Sequence, residues 1–362
     1  MKIGIIGLPN SGKTTVFNAL TGGSAETAAY SSGSLEPNLA TVKVPDPRLQ
    51  VLTGMYKPKK TTYADVQYID VAGLSGSAHE TGGLSPAFLN YISQVDALLH
   101  VVRAFDDPAV PHPQESVDPS RDVEAVDLEL AFSDMAIIER RLQRLNGEIG
   151  KTAGKEKELR IHERDVLQRL QAALEADTPI RDVEISPEEE KMLRGYQFLS
   201  AKPLLIVLNV GENQLGTDLA ATFAYPHRKS AVVQLAGKVE AEIAQLDPED
   251  ARAFLDDLRI EEPARERAIA ASYDLLGLIS FLTAGPDEVR AWPIQAGTSA
   301  LEAAGTIHSD IQRGFIRAEI VAYEDLIAAG SMAEAKKRGT VRMEGKTYIV
   351  QDGDICNFLF NI

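Results

Sequence analysis

The sequence predicts an α/β fold, a largely parallel sheet interrupted by an antiparallel helical hairpin and followed by a smaller mixed domain. Three observations predict it. The apolar run Lys2-Ile3-Gly4-Ile5-Ile6 passes through a glycine-bounded turn into an amphipathic helix start, Thr15-Val16-Phe17-Asn18-Ala19-Leu20. Unbroken apolar runs return at Val95–Arg103, Leu204–Leu208 and Ala231–Leu235, as strands covered on both faces require. Between the first two of these, Leu128, Ala131, Met135, Ile138, Leu142 and Leu145 recur at alternating spacings of three and four, a helical seam.

The opening turn, Gly7-Leu8-Pro9-Asn10-Ser11-Gly12-Lys13-Thr14, fits G-x-x-x-x-G-K-[ST] in the strand–turn–helix context that this motif needs. Glycines let backbone N–H groups converge on an anion, and the helix N-terminus adds unpaired donors and a positive dipole end. Asn10, Ser11, Gly12, Lys13, Thr14 and Thr15 are therefore the expected phosphate contacts. Lys13 would reach the β- and γ-phosphates, and the Thr14 hydroxyl would ligate Mg²⁺. The chain reads as a nucleotide-binding P-loop protein.

The polar stretch from Ser24 to Val44 follows the first helix, where GTPases place switch I. Ser34 is the candidate Mg²⁺ ligand there; the plain alternative is a flexible connector. Next, Ala64–Asp70 alternates as a strand and ends in Asp70-Val71-Ala72-Gly73, a D-x-x-G. Asp70 would hold Mg²⁺ through a water, and the Gly73 N–H would sense the γ-phosphate. Ras-type GTPases carry a water-orienting glutamine at the following position, whereas this chain has Leu74, so the group that positions water comes from elsewhere. The loop Ser75–Gly83 reads as switch II. Asp106–Arg121 contains four prolines and is expected to be non-helical. His112, between two of them, is the catalytic candidate, with an ordinary surface histidine as the alternative.

After the seam, Asn146-Gly147 through Gly154 is expected to break the helix. A second helical run follows with Leu159, Val166, Leu170 and Ala173 on one face. Between 140 and 164 there are eight Lys/Arg against four Glu, which suits contact with phosphates or, equally, a solvated helix face. Ser186-Pro187-Glu188-Glu189 is a capping box with proline at the first helical position. The strand Leu204–Leu208 then delivers Asn209-Val210-Gly211-Glu212, where GTPases carry N-K-x-D. That aspartate accepts from the guanine N1–H and 2-amino group. Here the lysine is Val210 and the carboxylate, Glu212, is one methylene longer, which removes the guanine preference. The strand Ala231–Leu235 leads to Ala236-Gly237, expected beside the base.

In the last third, strands are expected at Val289–Ile294, Phe315–Val321 and Lys346–Val350, with a helix at Ala300–Gln312. Lys336, Lys337, Arg338, Arg342 and Lys346 form a second basic patch.

Taken together, Gly7–Thr15, Leu35-Glu36-Pro37-Asn38, Pro45-Asp46-Pro47-Arg48-Leu49, Asp70–Leu74, Asn209–Glu212, Val289-Arg290-Ala291-Trp292, Gly314–Ala318 and the closing Asp352-Gly353-Asp354…Asn357–Asn361 resemble the YchF-type (Obg-like) ATPases. These are translation-factor-related P-loop proteins, and the likeness spans essentially the whole chain. The resemblance implies a P-loop NTPase domain at 1–123 and 196–277, an inserted hairpin at 124–195, and a C-terminal TGS domain of β-grasp form at 278–362. It also implies preference for ATP over GTP, association with ribosomes and a cytoplasmic location. In switch I this chain has Ser34 where the family usually has threonine.

Composition sets further bounds. Net charge −16 over 362 residues argues against a coat of nucleic acid, so RNA contacts would use the local basic patches at 140–164 and 336–346. The single Cys356 excludes a disulfide framework or a cysteine zinc cluster. No signal peptide is expected, because the first residues belong to a strand, and no run approaches the roughly 18 apolar residues of a membrane span. The expectation is a monomeric ATP-hydrolysing switch on the translation machinery. The other readings are a nucleotide-gated ribosome- or protein-binding module whose hydrolysis is incidental, and a GTPase.

Overall fold

The computed structural model describes residues 1–23, 37–71, 85–257 and 263–361. In chain order its elements begin β1 (Lys2–Ile6), α1 (Lys13–Thr21), β2 (Asn38–Lys43), α2 (Pro47–Tyr56), β3 (Lys60–Thr62), β4 (Asp65–Asp70), α3 (Pro86–Ser93) and β5 (Ala97–Arg103). Then come α4 (Pro119–Ile149), α5 (Gly154–Glu175), α6 (Pro187–Leu193), β6 (Leu204–Asn209), β7 (Ser230–Leu235), α7 (Gly237–Ile243), α8 (Pro248–Asp257) and α9 (Ala264–Leu275). The last part is β8 (Leu278–Ala284), β9 (Glu288–Gln295), α10 (Ala300–Ile307), α11 (Ser309–Arg313), β10 (Phe315–Ala322), α12 (Tyr323–Ala329), α13 (Met332–Arg338), β11 (Arg342–Glu344) and β12 (Asp354–Phe360).

The chain divides into two compact units, 1–40 with 67–268 and 41–66 with 269–362. The first unit is built on a sheet of order β2-β4-β1-β5-β6-β7. β4, β1, β5, β6 and β7 pair in parallel. Every residue of β5 and β6 is buried, which is why both read as continuous apolar runs. One face carries Ile6, Leu98, Val102, Ile206 and Leu208 against Phe88 and Ile92 of α3 and Val123 and Leu130 of α4.

α4 and α5 form the expected hairpin, closed by Ile138, Leu145, Val166, Leu167, Leu170 and Leu174. Two boundaries differ from expectation. α4 begins at Pro119 inside the proline-rich stretch, because Asp118 caps it and a proline at the first position has no N–H to lose. It also runs through Asn146-Gly147, because buried Leu145 and partly buried Ile149 outweigh local propensity. The turn falls at 150–153, and Gly154 takes φ 59°. At the root of the hairpin, buried Asp134 accepts from Leu199 N (2.8 Å), Ser200 N (2.8 Å) and Ser200 Oγ (2.6 Å).

The second unit is a β-grasp sheet of order β11-β10-β12-β8-β9-β3, packed under α10. β8–β9 and β10–β12 are antiparallel, while β12 joins β8 in parallel. Lys346–Val350, expected as a strand, makes only the isolated bridge Ile349–Ser299, and β12 supplies the pairing instead. The expected helix 300–312 is split at His308, whose side chain accepts from Asp310 N and caps α11. Residues 41–66, expected with the nucleotide domain, lie in this unit, since β3 pairs with β9. Arg48 reinforces the link: Nη1 donates to Asp352 Oδ2 (2.7 Å) and Nε to Asp46 Oδ1 (2.9 Å). The polar stretch before Val44 likewise ends in strand β2, hidden from the sequence because only Val42 within it is buried.

Replacing Asp134 tests the hairpin root. Asp134→Ala leaves three buried donors without an acceptor, at about 1–3 kcal/mol for an unsatisfied group. A lowered thermal midpoint and faster amide exchange at Leu199 and Ser200 are the expected result; unchanged exchange would show the carboxylate to be dispensable.

Candidate nucleotide site

The site forms where β1, β4, β5 and β6 end. The turn after β1 is possible only with glycine at both ends. Gly7 has φ 145°, and a Cβ there would lie 2.4 Å from Val101 O. Gly12 has φ 91°, and its Cβ would lie 2.2 Å from Asn209 Nδ2. Asn10, at φ 61°, bends the loop and donates through Nδ2 to Pro111 O at 2.9 Å.

Lys13 is buried and folds back along its own loop, donating to Gly7 O (3.1 Å) and Leu8 O (2.9 Å). Burial lowers its ammonium pKa to about 8, with Asp70 acting in the opposite direction. Thr14 Oγ1 donates to Asp70 Oδ2 at 2.8 Å, which brings together a hydroxyl and a carboxylate from α1 and β4. Ser11 is buried, and its carbonyl accepts from Asn209 Nδ2 at 2.9 Å. Thr15, in the first turn of α1, is half-buried.

Asn209 is expected at the base. Its amide is a strut between backbones: beyond Ser11 O, its Oδ1 accepts from Gly237 N at 3.0 Å. Gly237 must lack a side chain, since a Cβ would lie 2.9 Å from that oxygen. Val210 is buried in the core with Ala236 and Val239, and its N–H is taken by Leu235 O. Glu212 is exposed and opens a short 3₁₀ turn fixed by Gln214, which accepts from Gly211 N and donates to Ala104 O. Ser34, Gly73, Leu74 and most of both switch loops lie outside the described residues.

His112 differs from the surface reading. Its side chain is 4% exposed, with Nε2 2.8 Å from Asp122 Oδ2, and Nδ1 accepts from Gln114 N at 3.1 Å. Asp122 is also held by Arg121. Two further residues belong to no motif in the sequence: Arg103, which closes the fully buried β5, and Phe105, which lies beside Gly211. A charged residue ending a fully buried strand is the one signal that points to them.

The basic patches also resolve differently. In the hairpin Arg141, Arg160 and Arg164 are paired with acids, while Arg140, Arg144, Lys151, Lys155 and Lys157 have no acidic partner among the described residues. At 336–346, Lys336 pairs with Glu319, Lys337 and Arg338 with Glu334, and Arg342 with Glu344 and Asp354. That patch is largely neutralised from within.

Comparison with known proteins agrees with this geometry. Residues 2–141 match a family model described as 50S ribosome-binding GTPase. Residues 278–361 match the YchF-GTPase C-terminal model, described as a protein of unknown function. A Bacillus subtilis protein named ribosome-binding ATPase YchF is 44% identical over 365 residues, covering 99% of each chain. The chain belongs to the YchF family. The Obg-like ATPase 1 of Oryza sativa subsp. japonica is 36% identical, across 100% of this chain and 92% of its own. The solved structure of the Schizosaccharomyces pombe YchF GTPase superposes with a TM-score of 0.85 at 30% identity, covering 99% of this chain and 97% of that one.

The strut is testable apart from any catalysis. Asn209→Asp keeps the acceptor for Gly237 but turns the donor facing Ser11 O into a second acceptor. An unpaired buried acceptor costs about 1–3 kcal/mol. Carried into binding, that is about a five- to 150-fold loss of nucleotide affinity, read by equilibrium titration. Wild-type affinity would mean the loop is held by other contacts.

Proposed function

We propose that this YchF-family chain is a Mg²⁺-dependent ATPase, preferring ATP over GTP, that acts as a nucleotide switch on the ribosome. The observation that carries the base assignment is the N-x-x-E loop: Val210 lies in the core and cannot pack over a base as lysine does, and Glu212 stands in place of the guanine-clamping aspartate. A backbone carbonyl beside Val210 suits the adenine 6-amino donor, whereas guanine presents an acceptor at that position. The names of the Bacillus subtilis and Oryza sativa relatives favour the same reading. GTPase is the second reading, favoured by the description of the N-terminal family model and by the name GTPase that the Schizosaccharomyces pombe protein carries.

Thr14 and Asp70 offer the hard oxygen donors that suit Mg²⁺ next to phosphates, and Thr14 would be the direct ligand with Asp70 acting through water. Ser34 completes the set in this reading, and Gly73 offers its N–H to the γ-phosphate. When bound, Mg²⁺ would supply neutralisation of phosphate charge. Lys13 adds the fixed positive charge, and the backbone around Asn10–Thr15 cradles the anion.

His112 fits the missing water-positioning role. Asn10 ties the His112 loop to the phosphate loop through Pro111 O. Asp122 orients the ring through Nε2, which leaves Nδ1 to accept from a water in exchange for the Gln114 amide. The free hairpin cations are the RNA-facing surface in this reading, with the 336–346 patch secondary because its charges are paired. In this reading the chain works in the cytoplasm as a monomer on ribosomes; no helix among the described residues is long and apolar enough to cross a membrane.

Two experiments test this. Affinities for ATP and GTP measured side by side with Mg²⁺ should favour ATP by about five- to 150-fold, and Val210→Lys with Glu212→Asp should narrow or reverse the gap. Tighter binding of GTP by the wild type would leave the GTPase reading standing. Separately, His112→Ala should cut turnover by about 10²–10⁴-fold with ATP affinity intact, and an unchanged rate would return His112 to a structural role.

A further inference from the structure

Arg103 is a buried cation with no part in the phosphate or base contacts proposed for this site. It closes β5 at 2% exposure and has no carboxylate partner among the described residues. What compensates it is local. Nε donates to Phe105 O at 3.1 Å and Nη2 to Asp107 O at 3.3 Å, while the guanidinium lies 4.5 Å over the Phe105 ring. Nη1 is buried and has no hydrogen-bond partner among the described residues. An apolar residue here would spare the chain the cost of desolvating a charge.

What the arginine does is tie down the chain just after β5 through two of its carbonyls. The segment so held touches both halves of the site. Ala104 N donates to Asn209 O at 2.9 Å, and Ala104 O accepts from Gln214 Nε2 at 2.9 Å. Phe105 faces Gly211, where an added Cβ would lie 3.6 Å from Phe105 Cβ. Asp107 O also accepts from Val110 N, and the next residue, Pro111, receives the Asn10 amide. One stretch of eight residues, 104–111, therefore abuts the Asn209–Glu212 loop at one end and the phosphate loop at the other.

We propose that Arg103 is a positioning residue for nucleoside recognition, acting through Phe105, whose ring it holds and whose Cβ lies beside Gly211. The proposal rests on the reading that the Asn209–Glu212 loop takes the base. Arg103 itself touches no substrate in this account. Its planar fork fixes two carbonyls and one aromatic face at once, which a lysine cannot do.

Binding of ATP and of inorganic tripolyphosphate, each with Mg²⁺, separates the nucleoside from the phosphates. Arg103→Lys keeps the charge and loses the fork, and Phe105→Leu keeps apolar bulk and loses the ring. Each should weaken ATP by about three- to tenfold, the scale of a cation–π contact, while tripolyphosphate affinity stays at the wild-type value. Equal losses for both ligands would overturn the proposal, because a general loosening of the fold weakens both. Loss in Phe105→Leu with none in Arg103→Lys would also overturn it. Should Arg103→Lys fail to fold, Arg103→Gln, which keeps planar donors without the full fork, takes its place in the same comparison. A wild-type protein that binds ATP no better than tripolyphosphate would instead sink the base-site reading on which this one stands.

Discussion

The Asn209 amide is the joint on which the nucleotide site depends. It ties the carbonyl of Ser11 to the N–H of Gly237, across 198 residues in one direction and 28 in the other. Both contacts are buried, so each group would otherwise go unpaired in a low-dielectric interior. The joint explains the glycines on either side of it, since Gly12 and Gly237 both lack room for a Cβ against this side chain. The phosphate loop, the strand that bears Asn209 and the helix after β7 are thus one rigid corner. Lys13 completes the corner from inside, bound to carbonyls of the loop that it follows.

Local features are legible in the sequence, and joints between distant segments are not. The strand–turn–helix at residues 2–21 is legible because its motif lies within that stretch, although the loop also meets Val101, Pro111 and Asn209 from far along the chain. The capping box at Ser186 and the hairpin seam are local in the same sense. The sequence marks Asn209 as part of the site, but its partner at Ser11 lies far along the chain and no spacing rule reveals it. His112 shows the opposite failure. A histidine between prolines reads as surface, yet the carboxylate that buries it is ten residues on, inside a helix whose start the prolines conceal. In β3, a run of three residues with no apolar alternation is made a strand only by β9, more than 220 residues later.

The charges tell a similar story about scale. Counting lysines and arginines finds two basic patches, but a count is blind to which acid each cation meets. In the hairpin Arg141–Glu163 and Arg160–Glu148 bridge the two helices, while exposed cations of α4, the turn and the start of α5 have no acidic partner among the described residues. At the C-terminal patch the acids come from β10, α13, β11 and β12, brought together by folding. Exposed pairs of this kind contribute little to stability. Their effect here is on the local field, which they flatten.

The second unit is discontinuous in sequence, and this bears on how such a protein can be divided. Its edge strand β3 and the arginine that meets Asp352 come from residues 41–66, not from the C-terminal stretch that a family model recognises as a domain. A fragment cut at residue 278 would carry an unpaired β9 edge and an Asp352 that has lost its guanidinium. Conversely, a first unit shortened at its C-terminus would keep a 26-residue excursion with its apolar face uncovered. No single cut in the chain separates the two units intact.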